Sequence, residues 1–118
     1  PDGTGVRDYI HVSDLAAAHV LALDALIAEP GQSMTMNCGY GRGYSVLEVL
    51  DAVDRVTGGA IERIYGGRRA GDPASLVADS SLLRKTVPWK PRHEKLDTII
   101  EHALAWESKL PDVRRSAA

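Results

Sequence analysis

The chain has 118 residues, 44% hydrophobic and 25% charged, with a formal net charge of −2. That balance excludes a global attraction to nucleic acid or to an anionic membrane, so any binding chemistry has to be local. One cysteine, Cys38, excludes an internal disulfide, and no CxxC or His/Cys group at metal-ligand spacing is present, so neither a structural metal nor a secreted disulfide scaffold is expected. The length suits a single domain able to bury a real core. Without a charged leader or an apolar run of spanning length, a soluble, cytoplasmic protein with no membrane partner is expected.

The chain opens on Pro1 in a turn-like Pro-Asp-Gly-Thr-Gly, which reads as a cut into a longer sequence. The stretch from Gly3 to Leu15, GTGVRDYIHVSDL, then sets an Arg, an Asp, a Tyr and a His within five residues, immediately ahead of a helix. Ser13 is a suitable N-cap, Asp14 favours the positive helix end, and the helix is expected over about 14–28, up to Pro30-Gly31. Its apolar residues run almost all round the cylinder, so it should be covered on several sides. A strand is expected at about 33–38, SMTMNC, followed by the Gly-rich loop GYGRGY.

Ser45 and Glu48 form a capping box that opens the most clearly amphipathic helix, with Val46, Leu47, Val49, Leu50, Val53 and Val56 ending at Gly58-Gly59. AIERIYG, from Ala60, alternates like a strand; the basic loop GRRAGDP, a short helix after Asp79 and the rigid VPWKP follow. A last helix is expected over about 95–109, and the tail 111–118 is expected to fray. Helices alternating with strands give an α/β class, but two strands cannot shelter a helix that is apolar on nearly every face. The main parallel sheet is therefore expected to lie outside this chain, unless the chain hides that surface by oligomerising.

Among candidate sites, CGYGRGYSVLEVL has the strand, loop and helix order of a dinucleotide site. The third glycine of GxGxxG falls on Tyr44, however, and Glu48 sets a carboxylate where a pyrophosphate would sit, so a structural loop is the better reading. Arg7 and an arginine of the RRAGD run, Arg68 to Asp72, offer two planar guanidinium groups from distant loops suited to a diphosphate, with Asp72 suited to the hydroxyls of a ribose; solvated loop charge is an equal alternative. His19 reads as a packed or hydrogen-bonded histidine and Cys38 as a small buried hydrophobe, while Trp89 and Trp106 read as packing residues. His11 and Asp14 could pair locally, with no nucleophile beside them.

Taken in order, DGTGVRDYIHVSDLAAAHVLAL, MNCGYGRGYSVLEVLDAV, RRAGDPASLVADSS, a Trp with a following Pro and a terminal AW pair closely resemble the UDP-glucose 4-epimerase family of extended short-chain dehydrogenase/reductases. The match is to the C-terminal third of such an enzyme. The family's nucleotide-binding loop, catalytic serine and Tyr-x-x-x-Lys pair would precede Pro1, so no catalytic residue is expected in this chain. The resemblance implies the end of a Rossmann-type NAD(P)-binding fold at 1–38, a smaller UDP-sugar-binding α/β domain at 39–110, and a homodimer. It also implies that Arg7 and Arg69 hold the UDP diphosphate, Tyr9 lies beside the nucleotide, Asp72 near the ribose, and Val46 on the pocket wall. Leu76 stands near a position that influences which sugars fit. Ala70 replaces a Glu of many members, while the Arg and Asp that matter are retained. NAD would be bound mainly by residues outside this chain. Family members oxidise C4 of the hexose and return the hydride to the opposite face after the 4-keto sugar turns. A clamp on the diphosphate would hold the intermediate while leaving the sugar free to rotate.

Overall fold

A computed structural model describes residues 2–67 and 69–110; Pro1, Arg68 of the RRAGD motif and the tail 111–118 lie outside the described residues. The elements run β1 (Val6–Arg7), α1 (Val12–Ala28), β2 (Tyr44–Ser45), α2 (Val46–Thr57), β3 (Ser75–Leu76), α3 (Ser81–Thr86) and α4 (Leu96–Glu107). The class is α/β. The strands form one sheet in the order β2-β1-β3, with β1 antiparallel to β2 and parallel to β3. Val6 faces Ser45 on one side and Ser75 on the other, while Arg7 faces Tyr44 and Leu76.

The Gly-rich loop exists because the backbone must pass close to this sheet. A Cβ on Gly39 would lie 2.6 Å from both the Ala78 methyl and an Asp8 carboxylate oxygen, and one on Gly43 would collide with Val6 and Val77. Gly41, between them, turns the chain with φ of +75°. Asp8 fixes the loop from inside: its carboxylate accepts the Tyr40 and Gly41 N–H groups at 3.1 and 2.9 Å.

Consecutive residues after β1 point to two different cores. Tyr9 joins Ala52, Leu96 and Ile100, with Tyr44, Val49, Val53 and Val56, where α2 packs against α4. Ile10 joins Ala18, Leu83, Val87 and Trp89, with Leu21, Ala25, Met36, Cys38 and Tyr40. Across the α2–α4 contact, Arg55 pairs with Asp97 at 2.7 Å. Trp89 lies parallel to the Tyr40 ring, and its indole N–H donates to the Asp14 carbonyl at 2.9 Å. The second core unites residues from both sides of position 38: α1 comes from the first segment, while Leu83, Val87 and Trp89 come from the second.

Several expectations are corrected. α1 begins at Val12 rather than after Ser13, because His11 is the N-cap: its backbone is extended and its Nδ1 accepts the Ser13 N–H at 3.0 Å. Ser33 to Cys38 and Ala60 to Gly66 are not strands, since neither makes ladder hydrogen bonds. The alternation in the first is nonetheless real, for Met36 and Cys38 face the core while Thr35 and Asn37 are exposed. In the second, Arg63 ties the segment to Asp51 and Asp54 of α2. Trp106, expected to pack, is 57% exposed.

α1 carries two apolar stripes on opposite sides. Ala18, Leu21 and Ala25, in line with Asp14, pack on the core. Val12, Ala16, Val20, Leu23 and Ile27 form the other stripe, and all are exposed. The radius of gyration, 17.5 Å, exceeds the about 13 Å of a compact domain of this length. The described residues thus leave much apolar surface uncovered.

Candidate functional site

The loops before β1, before β3 and at the start of α2 enclose a cavity of about 520 Å³ lined by Val46, Arg69 and Asp72 among others. That volume lies within the range of small-ligand sites. Arg69 and Asp72 share one turn, closed by the Asp72 N–H and the Arg69 carbonyl at 3.4 Å. β3 follows three residues later, so pairing of β3 with β1 brings this turn beside Arg7. The Arg7 guanidinium pairs with Asp72 and also donates to the Val6 carbonyl at 2.7 Å. Both members of that pair are partly exposed, so it contributes no more than about 1 kcal/mol and can be exchanged for a stronger anion. Among the described residues no carboxylate pairs with Arg69, while Arg63 on the same wall is taken up by Asp51 and Asp54.

Of the residues singled out in the sequence, Val46, Arg69 and Asp72 thus share one cavity, and Arg7 reaches it through Asp72. The structure sets Tyr9 apart, in the α2–α4 core. Leu76, 61% exposed, lies on the far side of Arg7 with Asp8 and Cys38. Ile64 and Tyr65, which sequence reasoning passed over as strand residues, also line the cavity, Tyr65 being 73% exposed.

The N-terminus of α2 does not suit a dinucleotide pyrophosphate. Its first amide donors are already engaged: Val46 N–H with the Gly5 carbonyl, Leu47 N–H with Thr4 Oγ1, and Glu48 N–H with Ser45 Oγ. Glu48 completes the capping box by accepting the Ser45 N–H at 2.7 Å. Asp2 accepts from the Ser45 hydroxyl and from the N–H and hydroxyl of Thr4, and these bonds, Ser45 first and then the Thr4 N–H, hold its carboxyl down to about 2. Two carboxylates around a satisfied helix end would repel a phosphate.

A second polar centre has a structural character. Asp14, buried, accepts the Tyr40 hydroxyl at 2.6 Å, the Arg92 N–H at 3.0 Å and the His93 N–H at 2.8 Å. Burial pushes its carboxyl up, but these three donors outweigh that and leave it below the usual carboxylate range. Tyr40 in turn accepts the His11 N–H at 3.1 Å. Asp14 therefore bonds to the segment before α4 and not to the His11 side chain. His19 is hydrogen-bonded within its own helix, to the Leu15 carbonyl at 2.8 Å. Burial, then the Asp8 charge, raises the Cys38 thiol, in keeping with a packing role.

Residues 1–39 match the family model described as the NAD dependent epimerase/dehydratase family. The chain is 52% identical over 110 residues to the UDP-glucose 4-epimerase of Azospirillum brasilense, covering 93% of this chain and 31% of that enzyme. It is 48% identical over 117 residues to the UDP-glucose 4-epimerase of Corynebacterium glutamicum, covering 99% of this chain and 35% of that enzyme. Its fold superposes on the UDP-glucose-4-epimerase of Stenotrophomonas maltophila, solved with bound NAD and formylated UDP-arabinopyranose, with a TM-score of 0.84 and 43% identity over 95% of this chain and 33% of that one. The chain is similar to the NAD dependent epimerase/dehydratase family, whose model matches its first 39 residues. Within it, its relatives at this level of identity are UDP-glucose 4-epimerases, and it spans about a third of their length.

Proposed function

We propose that this chain is the UDP-sugar-anchoring part of a UDP-glucose 4-epimerase, a cytoplasmic homodimer of galactose metabolism that interconverts UDP-glucose and UDP-galactose at C4 with NAD. The observation that carries the reading is the cavity on which Arg69, Asp72 and Val46 converge, with Arg7 held at its edge by Asp72. A diphosphate entering between Arg7 and Arg69 presents more negative charge than Asp72 and takes over the Arg7 guanidinium, because guanidinium forks match phosphate oxygens with paired charge-assisted hydrogen bonds. Asp72, released, remains an acceptor for ribose hydroxyls on the same wall. Binding energy collected there is remote from C4, so it can hold the nucleotide without fixing the sugar. The residues present do not fit NAD, since the one loop of suitable pattern has its helix end fully capped, so this chain contributes the anchor and has no turnover alone.

The test is product analysis. The complete protein containing this sequence, given UDP-glucose, is expected to yield UDP-galactose, and Arg69→Ala is expected to raise KM while the 118-residue chain alone yields nothing. Epimerisation by the isolated chain, or formation of a decarboxylated or dehydrated sugar by the complete protein, would overturn the assignment.

A further inference from the structure

Three histidines, one of them distant in sequence from the other two, meet in space. His11 caps α1, His93 precedes α4 and His102 lies within α4, yet their rings stand 4.4 Å (His11 to His93), 5.0 Å (His11 to His102) and 5.5 Å (His93 to His102) apart, centroid to centroid. One nitrogen from each lies within 4.8 Å of the other two. We propose that His11, His93 and His102 form a binding site for a zinc-class divalent cation, joining the start of α1 to α4 and leaving a fourth position for water.

The site is prearranged from behind. The His11 main chain is fastened by its N–H to the Tyr40 hydroxyl, and the His93 main chain by its N–H to the Asp14 carboxylate; Tyr40 and Asp14 are bonded to each other. Two of the three ligands thus hang from one bonded pair, the buried Asp14 and the half-buried Tyr40, and the third rides on a twelve-residue helix. Anchoring of this kind behind the ligands is what orients imidazoles at metal centres. The Asp14 charge next to His93 offsets part of the cation's charge. His102 is exposed, so the cluster opens to solvent and a hydrated cation can enter. Imidazole donors in threes with one open position suit zinc and its first-row neighbours rather than calcium or magnesium, which require oxygen.

The metal-free arrangement defines what binding must change. Because Ser13 N–H donates to His11 Nδ1, the proton of the neutral ring resides on Nε2, which donates to His102 Nδ1 at 2.9 Å. A cation bridging His11 Nε2 and His102 Nδ1 displaces that proton to Nδ1, and the Ser13 amide, on an exposed residue, turns to water instead. The cap of α1 is exchanged for a metal bond.

The experiment is a titration of the untagged 118-residue chain with zinc chloride by calorimetry and with cobalt chloride by visible absorption, with the Ser13 amide followed by NMR. Expected are one cation per chain, the spectrum of four-coordinate cobalt, a rise in Tm, and a shift of the Ser13 amide. His102→Gln, an exposed position, should abolish saturable binding while the circular dichroism is unchanged, and His93→Gln should do the same. No saturable binding by the native chain, or undiminished binding in His102→Gln, overturns the proposal.

Discussion

Asp14 ties α1 to the Gly-rich loop and to the segment that precedes α4. Its carboxylate accepts from Tyr40, Arg92 and His93, while its carbonyl accepts the Trp89 indole. Truncation would strand the part-buried Arg92 and His93 amides and leave the Tyr40 hydroxyl only the His93 carbonyl, a lost or unsatisfied bond costing about 1–3 kcal/mol. Asp14→Ala is therefore expected to lower stability by about 3 kcal/mol, read from the urea midpoint, whereas His19→Ala, whose exposed ring bonds to its own helix, should lie within about 0.5 kcal/mol of the native chain. At the candidate cavity, RRAGD was legible as a candidate for anion chemistry, with solvated loop charge an equal alternative. The pairing of Arg7 with Asp72 was not, because it depends on β1 and β3 being parallel neighbours across 65 positions of chain. Nor could spacing reveal the histidine cluster, since His11 and His102 are separated by 91 positions.

Among the elements, α2 is the one that local sequence dictates most completely. The Ser45–Glu48 box, a continuous apolar stripe and Gly58 in the left-handed conformation agree on where it starts, what it buries and where it stops. Ser45→Ala removes the acceptor for the Glu48 amide and the partner of Asp2, and should cost about 1–2 kcal/mol, measured by thermal unfolding. Rescue by Ser45→Thr would separate the cap from simple packing. The segments 33–38 and 60–66 show the opposite situation. Alternation tells which side chains turn inward, as Met36 and Cys38 do, but a strand exists only if another strand offers its edge. His11 escaped notice as a cap because its ring nitrogen does the work of the usual hydroxyl or carboxylate oxygen.

For the whole molecule, the apolar surface left uncovered is the dominant physical fact. The stripe Val12, Ala16, Val20, Leu23 and Ile27 is an unbroken face along α1, and Ile64, Leu76 and Trp106 add to the exposed apolar area. The all-round hydrophobicity of α1 was readable in the sequence; which side would be covered was not, since that is decided by partners in three dimensions. Faces of this size promote association in water. The 118-residue chain is expected to self-associate reversibly in sedimentation velocity, and Leu23→Asp with Val20→Lys should return it toward monomer without lowering its helix content. An unaltered monomer at high concentration in the native chain would show that this stripe is not adhesive.

The central claim, that this chain carries the anchor for a nucleoside diphosphate, is tested most directly by calorimetric titration of UDP into the native chain and into Arg69→Ala. A charge-assisted bond to phosphate is worth about 1.5–3 kcal/mol, so saturable binding in the native chain should weaken by about tenfold to a hundredfold in the variant. Uridine, which lacks the phosphates, should bind both proteins alike. Equal affinity of the two proteins for UDP would contradict the account.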